Sequence, residues 1–69
     1  MNEKEYTYSG WQLDLYRKVA NCKMNVSRSE AAKLLAVGAF NERISGIIKY
    51  VNCFYNSDEN LFKVVVNWN

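Results

Sequence analysis

Two runs of β-branched and aromatic residues, 47–55 and 61–68, flank the all-polar stretch Asn56-Ser57-Asp58-Glu59-Asn60. Runs of this kind around a short polar spacer predict a β-hairpin. With Tyr55 set opposite Leu61, the pairs Phe54–Phe62, Asn52–Val64, Tyr50–Val66 and Ile48–Trp68 share one face. That face is the larger and more aromatic, which assigns it to the core; Asn52 is the exception and would need a hydrogen-bonding partner. The opposite face would carry Lys49, Val51, Cys53, Tyr55, Leu61, Lys63, Val65 and Asn67. A slip of one residue exchanges the faces.

Upstream, Trp11, Leu13, Leu15 and Val19 alternate with Gln12, Asp14, Tyr16 and Lys18, Arg17 alone being out of step. Alternation over this length predicts a half-buried strand. The ten residues before it are polar and carry Tyr6 and Tyr8. They read as an early extension of that strand or a loosely held arm, closing on Ser9-Gly10 as a turn or bulge. Residues 20–26, with asparagines and no period, predict a loop.

Ser27-Arg28-Ser29-Glu30 has the capping-box spacing that opens a helix. Ala31, Ala32, Leu34, Leu35 and Val37 continue it with good propensity and one apolar stripe, leaving Lys33 outside. The helix either stops at Gly38 or runs through it, burying Phe40 and ending near Arg43.

The predicted order is β-α-β-β: an α+β fold in which one helix covers one face of a three-stranded antiparallel sheet. The hairpin strands pair with each other, and the first strand lies beside the last. The helix stripe (Ala31, Leu34, Leu35) would cover Trp11, Leu13, Leu15, Ile48, Tyr50, Phe54, Phe62, Val64, Val66 and Trp68. Trp11, Phe54, Phe62 and Trp68 would be its aromatic centre.

Sixty-nine residues make one domain, residues 1–69. So short a chain hides only about 60% of its unfolded surface. The 49% hydrophobic content compensates, argues against disorder, and leaves apolar surface for a partner or a second copy. A net charge of +2 is too weak to announce nucleic acid, whose expected footprint is a clearly basic stripe. The start of the chain lacks a secretory signal, and the longest near-apolar run, 34–40, falls short of the roughly 20 residues that span a bilayer. The expectation is a cytoplasmic protein with no membrane contact, in which Cys22 and Cys53 are free thiols.

Chemistry is constrained by what is missing. Without histidine, the commonest general base, the Ser-His and Cys-His pairs and most metal sites are gone. Two cysteines alone do not make a structural zinc site. The three glycines are isolated, so there is no phosphate loop, and the adjacent carboxylates Asp58 and Glu59 read as a solvated turn. The chain is expected to be no enzyme and to use no cofactor or metal.

Function is then expected on the sheet face that the helix leaves open. Tyr16, Lys18, Lys49, Tyr55 and Lys63 are the candidate partner-binding residues there, aromatic anchors among lysines. A protein partner is the first expectation. A free sheet edge would also allow self-association, and nucleic acid stacked on the tyrosines is the alternative. Nine asparagines, with proline and histidine absent, fit an AT-rich genome. The expected role is a small stoichiometric binder, such as a phage or mobile-element inhibitor of a host or defence factor.

Overall fold

In the computed structural model, residues 2–19 and 26–69 are described. The last strand organises them. Leu61–Trp68 (β3) is the central strand of a three-stranded sheet, with Asn2–Ser9 (β1) on one side and Ile48–Asn56 (β2) on the other. Both neighbours run antiparallel to it. Gly10–Val19 (α1) and Arg28–Arg43 (α2) form the second layer, on one face of the sheet. The α+β class and the antiparallel three-stranded sheet agree with the sequence-based expectation. The order is β-α-α-β-β, with two helices in place of one.

The added helix is the stretch 11–19, predicted as a strand. Its first turn is closed by a capping box: the Ser9 N–H donates to Gln12 Oε1 at 2.9 Å, and the Gln12 N–H donates to Ser9 Oγ at 3.3 Å. From Trp11 to Lys18 there is no β-branched residue, while leucine, glutamine, arginine and lysine all favour helix. Residues 10, 13 and 16, three apart, turn inward: Gly10 and Leu13 are buried and Tyr16 is half-buried. Gly10 is required at this junction. Its N–H donates to the Asn60 carbonyl at 2.9 Å, and a Cβ there would run into the Asn60 carboxamide.

The strand that lies beside β3 is therefore β1. The expected arm is paired along its length, from Asn2 opposite Trp68 to Ser9 opposite Leu61. Alternation turns Tyr6 and Tyr8 toward the helices, opposite Val64 and Phe62, and both pack on the core.

Helix α2 takes the longer of its two predicted courses. Ser27 caps it, accepting from the Glu30 N–H at 3.1 Å, and the Ile44 N–H closes it on the Phe40 carbonyl at 2.8 Å. Running through Gly38 costs about 1 kcal/mol relative to alanine, whereas fully burying a phenylalanine such as Phe40 yields about 1.5–3 kcal/mol. The face against the sheet is Ala31, Ala32, Ala36 and Phe40, all fully buried. Leu34 is exposed and Leu35 half-buried, so the expected stripe is rotated toward the alanines. Nothing lies within 4 Å of a Cβ placed on Gly38, an exposed helical position. Gly38→Ala is therefore expected to stabilise the fold by about 0.5–1 kcal/mol, raising Tm by several degrees in a thermal melt followed by circular dichroism. An unchanged or lower Tm would show that residue 38 does not sit in an open helical turn.

The hairpin forms as expected, but β2 is shifted by one residue. Asn56 stands opposite Leu61, Tyr55 opposite Phe62, Cys53 opposite Val64 and Val51 opposite Val66. Asn56 belongs to the strand, and the loop is the four residues 57–60. The Asn56 side chain starts the turn by accepting the N–H groups of Asp58 and Glu59 at 3.0 and 3.3 Å. Asn60 ends it in the left-handed region, at φ 52°. On β2 the predicted faces are thus exchanged: Val51 and Cys53 turn to the helices, while Tyr50, Asn52 and Phe54 turn away. The slip removes the cost of burying Asn52. A bulge between Ile48 and Tyr50 restores phase, so Ile48 stands opposite Trp68 as expected.

The core is Leu13, Ala31, Ala32, Ala36, Phe40, Phe62, Val64 and Val66. Of the expected aromatic centre, Phe62 is buried and Trp68 packs edge-to-face on Phe40, ring centroids 5.0 Å apart at 67°. Trp11 and Phe54 lie outside.

Candidate interaction surfaces

The helices leave one sheet face open. By register it carries Glu3, Glu5 and Thr7 on β1, Leu61, Lys63, Val65 and Asn67 on β3, and Tyr50, Asn52, Phe54 and Asn56 on β2. Tyr50 and Phe54 are 57% and 55% exposed, whereas Val65 at the centre is buried. Beside Phe54, Thr7, Leu61 and Lys63 help to line a shallow groove of about 350 Å³.

Of the five candidate residues, only Lys63 is on this face at a regular strand position. Lys49 is exposed at the β2 bulge. Tyr55 is on the helix side of the sheet because of the register slip, where its ring stacks on Phe62 at 4.4 Å and its hydroxyl donates to Asn60 Oδ1 at 3.3 Å. Tyr16 and Lys18 are on α1, since that stretch is helical: Tyr16 packs on the core and Lys18 is exposed. The five do not form one site. Tyr50 and Phe54, which sequence reasoning placed in the core, are the aromatic residues on the open face. The difficulty of burying Asn52 was the signal that could have found them.

The open face carries charges of both signs. Glu3 and Glu5 share it with Lys63, and Lys63 Nζ lies 4.0 Å from Glu5 Oε1.

The second exposed surface belongs to α1. Trp11, Leu15 and Val19 are 66%, 54% and 78% exposed. Spaced by four residues, they form a stripe on the side of α1 away from Leu13. The helix is thus apolar on two opposite sides, with only one of them covered by the sheet and α2. Its polar flank carries Asp14, which joins the helices: Arg28 Nε and Nη2 donate to the two Asp14 carboxylate oxygens at 2.9 and 2.7 Å, and Arg17 lies 3.5 Å away. The hydrogen bond from Arg28 holds the Asp14 carboxyl below its ordinary value of 3.8, against a smaller opposing effect of desolvation. A depressed carboxylate contributes stability above its ordinary pKa and loses it as pH falls through the lowered value. This pair is exposed, so solvent and salt weaken that contribution.

Burial shifts two further groups among the described residues. Burial raises the pKa of the free Cys53 thiol, against smaller opposing effects of the Ser29 hydroxyl and Lys33, which keeps the sulfur protonated at neutral pH. Cys22 lies outside the described residues, as does most of the predicted 20–26 loop. Burial also raises the Tyr8 phenol, with Tyr6 adding to the shift. No cluster of three or more potential metal ligands occurs among the described residues, and no helix among them is long and apolar enough to cross a membrane.

The fold and its surfaces define a small open-faced α+β sandwich. Comparison of the chain with protein-family models, curated proteins and solved structures found no match.

Proposed function

We propose that this chain is a non-enzymatic binding protein that engages a protein partner stoichiometrically through the outward side of α1. The observation that carries the reading is the stripe Trp11-Leu15-Val19, three large apolar residues in helical register facing water. Three such side chains on ten helical residues oppose solubility unless they have a use. Their spacing suits the mode in which a helix lays an apolar face into a groove on its partner, and tryptophan is the residue most enriched at the energetic centre of interfaces. Asp14 and Lys18 supply a polar rim. An inhibitor of a host or defence factor is the setting that the composition suggests.

The test is a pair of variants, Trp11→Ala and Leu15→Ala. Both are expected to keep the wild-type melting temperature, because exposed substitutions move stability by only about 0.5 kcal/mol. Both are expected to lose at least tenfold in affinity for a partner first isolated with the wild-type chain and then titrated at defined stoichiometry. Retained affinity in both variants would reject the α1 surface. Binding to mixed DNA and RNA oligonucleotides with a steep salt dependence would reject a protein target in favour of nucleic acid.

A further inference from the structure

The two outer edges of the sheet differ in a way that points to a second copy of this chain. Among the described residues each edge strand pairs only with β3, so its other side has backbone donors and acceptors that none of them pairs. On β1 that edge is defended, because Glu3, Lys4 and Glu5 are three consecutive charges among its eight residues. On β2 the seven residues Tyr50-Val51-Asn52-Cys53-Phe54-Tyr55-Asn56 carry no charge, and most favour strand. Among the described residues, no backbone hydrogen bond outside the helices and the sheet involves β2. An edge of this length and composition is what protein folds ordinarily block with charge, proline or a covering segment.

We propose that two copies join β2 to β2 in antiparallel fashion about a two-fold axis at Asn52, making one continuous six-stranded sheet. The self-complementarity of the strand selects this arrangement. With Asn52 opposite Asn52 of the second copy, Tyr50 stands opposite Phe54 of that copy, and the reverse pair follows by symmetry. All these side chains lie on the open face. Aromatic pairs directly across antiparallel strands are favourable, and Val51 meets Cys53 on the helix side. Lys49 falls opposite Tyr55, so no like charges meet. An axis at Cys53 would instead set Tyr50 against Asn56 and Phe54 against Asn52, losing both aromatic pairs.

The β2 bulge between Ile48 and Tyr50 ends the regular pairing at Tyr50, and the two-fold axis ends it at Phe54 on the other side. Pairing β2 with the β1 edge of another copy would build an open-ended sheet, and the charges on β1 oppose that. The assembly therefore closes as a dimer. One strand pair is a smaller interface than the roughly 1,200 Å² of stable complexes, so the dimer is expected to depend on concentration.

Sedimentation equilibrium from micromolar to millimolar concentration tests the inference. The wild-type mass should rise from 8.0 kDa toward twice that value. Asn52→Glu and Asn52→Lys should each remain at monomer mass with unchanged circular dichroism, since like charges then face each other at the axis. Their equimolar mixture should recover the dimer, because unlike charges meet there. Thr7→Glu, on the β1 edge opposite Lys63, should dimerise as the wild type does, and so should Trp11→Ala. A wild-type chain at monomer mass throughout would overturn the proposal. So would a dimer that survives Asn52→Glu, or a mixture that stays monomeric. Loss of the dimer in Thr7→Glu or Trp11→Ala would also overturn it, assigning self-association to β1 or α1. Because Trp11→Ala is read separately for partner affinity and for mass, the α1 reading and this one can fail independently.

Discussion

Phe40→Ala is expected to remove about a third or more of the stability of the fold. Phe40 is the largest fully buried side chain, held between α2 and the sheet with the Trp68 ring on its edge. Truncating a buried phenylalanine costs about 3–5 kcal/mol in lost burial and residual cavity. A domain of this length has a total of only about 3–10 kcal/mol, taking 0.05–0.15 kcal/mol per residue. Urea unfolding followed by circular dichroism should therefore show a midpoint lowered by about a third or more. Phe54→Ala is the matched control, because Phe54 is on the open face; its midpoint should fall little. Equal losses in the two variants would mean that β2 presents its other side to the core.

Leu13→Ala and Leu15→Ala should behave oppositely, although only one residue lies between them. Leu13 is fully buried under α2, whereas Leu15 is on the outward stripe. The expected costs are about 2–5 kcal/mol for Leu13 and about 0.5 kcal/mol or less for Leu15. A strand through 11–19 would put both on one face and make the costs similar. Thermal melts of the two single variants thus decide the conformation of the segment, independently of any binding assay.

The particular elements show why some of the fold was legible and some was not. Val64, Val65 and Val66 left little choice but a central strand, and Ser27 with Glu30 marked the start of α2. Residues 11–19 misled because Trp11, Leu13, Leu15 and Val19 satisfy a period of two by chance, while the helix buries 10, 13 and 16. Ser9 and Gln12 carried the contrary signal, a second capping box whose first residue precedes the window in which the alternation was read. β1 was obscure because only Tyr6 and Tyr8 give it an apolar side; its place follows from pairing with β3, a long-range interaction that no local pattern reports. In the hairpin, counting Asn56 as loop rather than strand displaced β2 by one residue from Tyr50 to Tyr55, up to the bulge.

The candidate site inherited these two errors. Tyr16 and Lys18 were misplaced by the conformation of α1, and Tyr55 by the slip in β2, leaving Lys63 where it was expected. An outward tryptophan stripe could not be read at all while Trp11 was taken as core. The exposed pair Tyr50 and Phe54 was hidden by the same preference for burying the largest aromatic residues, an inference that holds in one direction only.

Because β3 lies between β1 and β2, neither outer strand has a neighbour until the chain has been made through Leu61–Trp68. On the ribosome, then, β1, both helices and β2 emerge with no sheet to join, and the apolar sides of α1 and α2 meet water or each other in the interval. Closing the sheet brings Asn2 beside Trp68, across almost the entire length of chain, and such distant pairings slow folding. Sheet assembly therefore waits on β3, and a ribosome stalled before residue 61 displays a product with no sheet for a protease or chaperone to find intact.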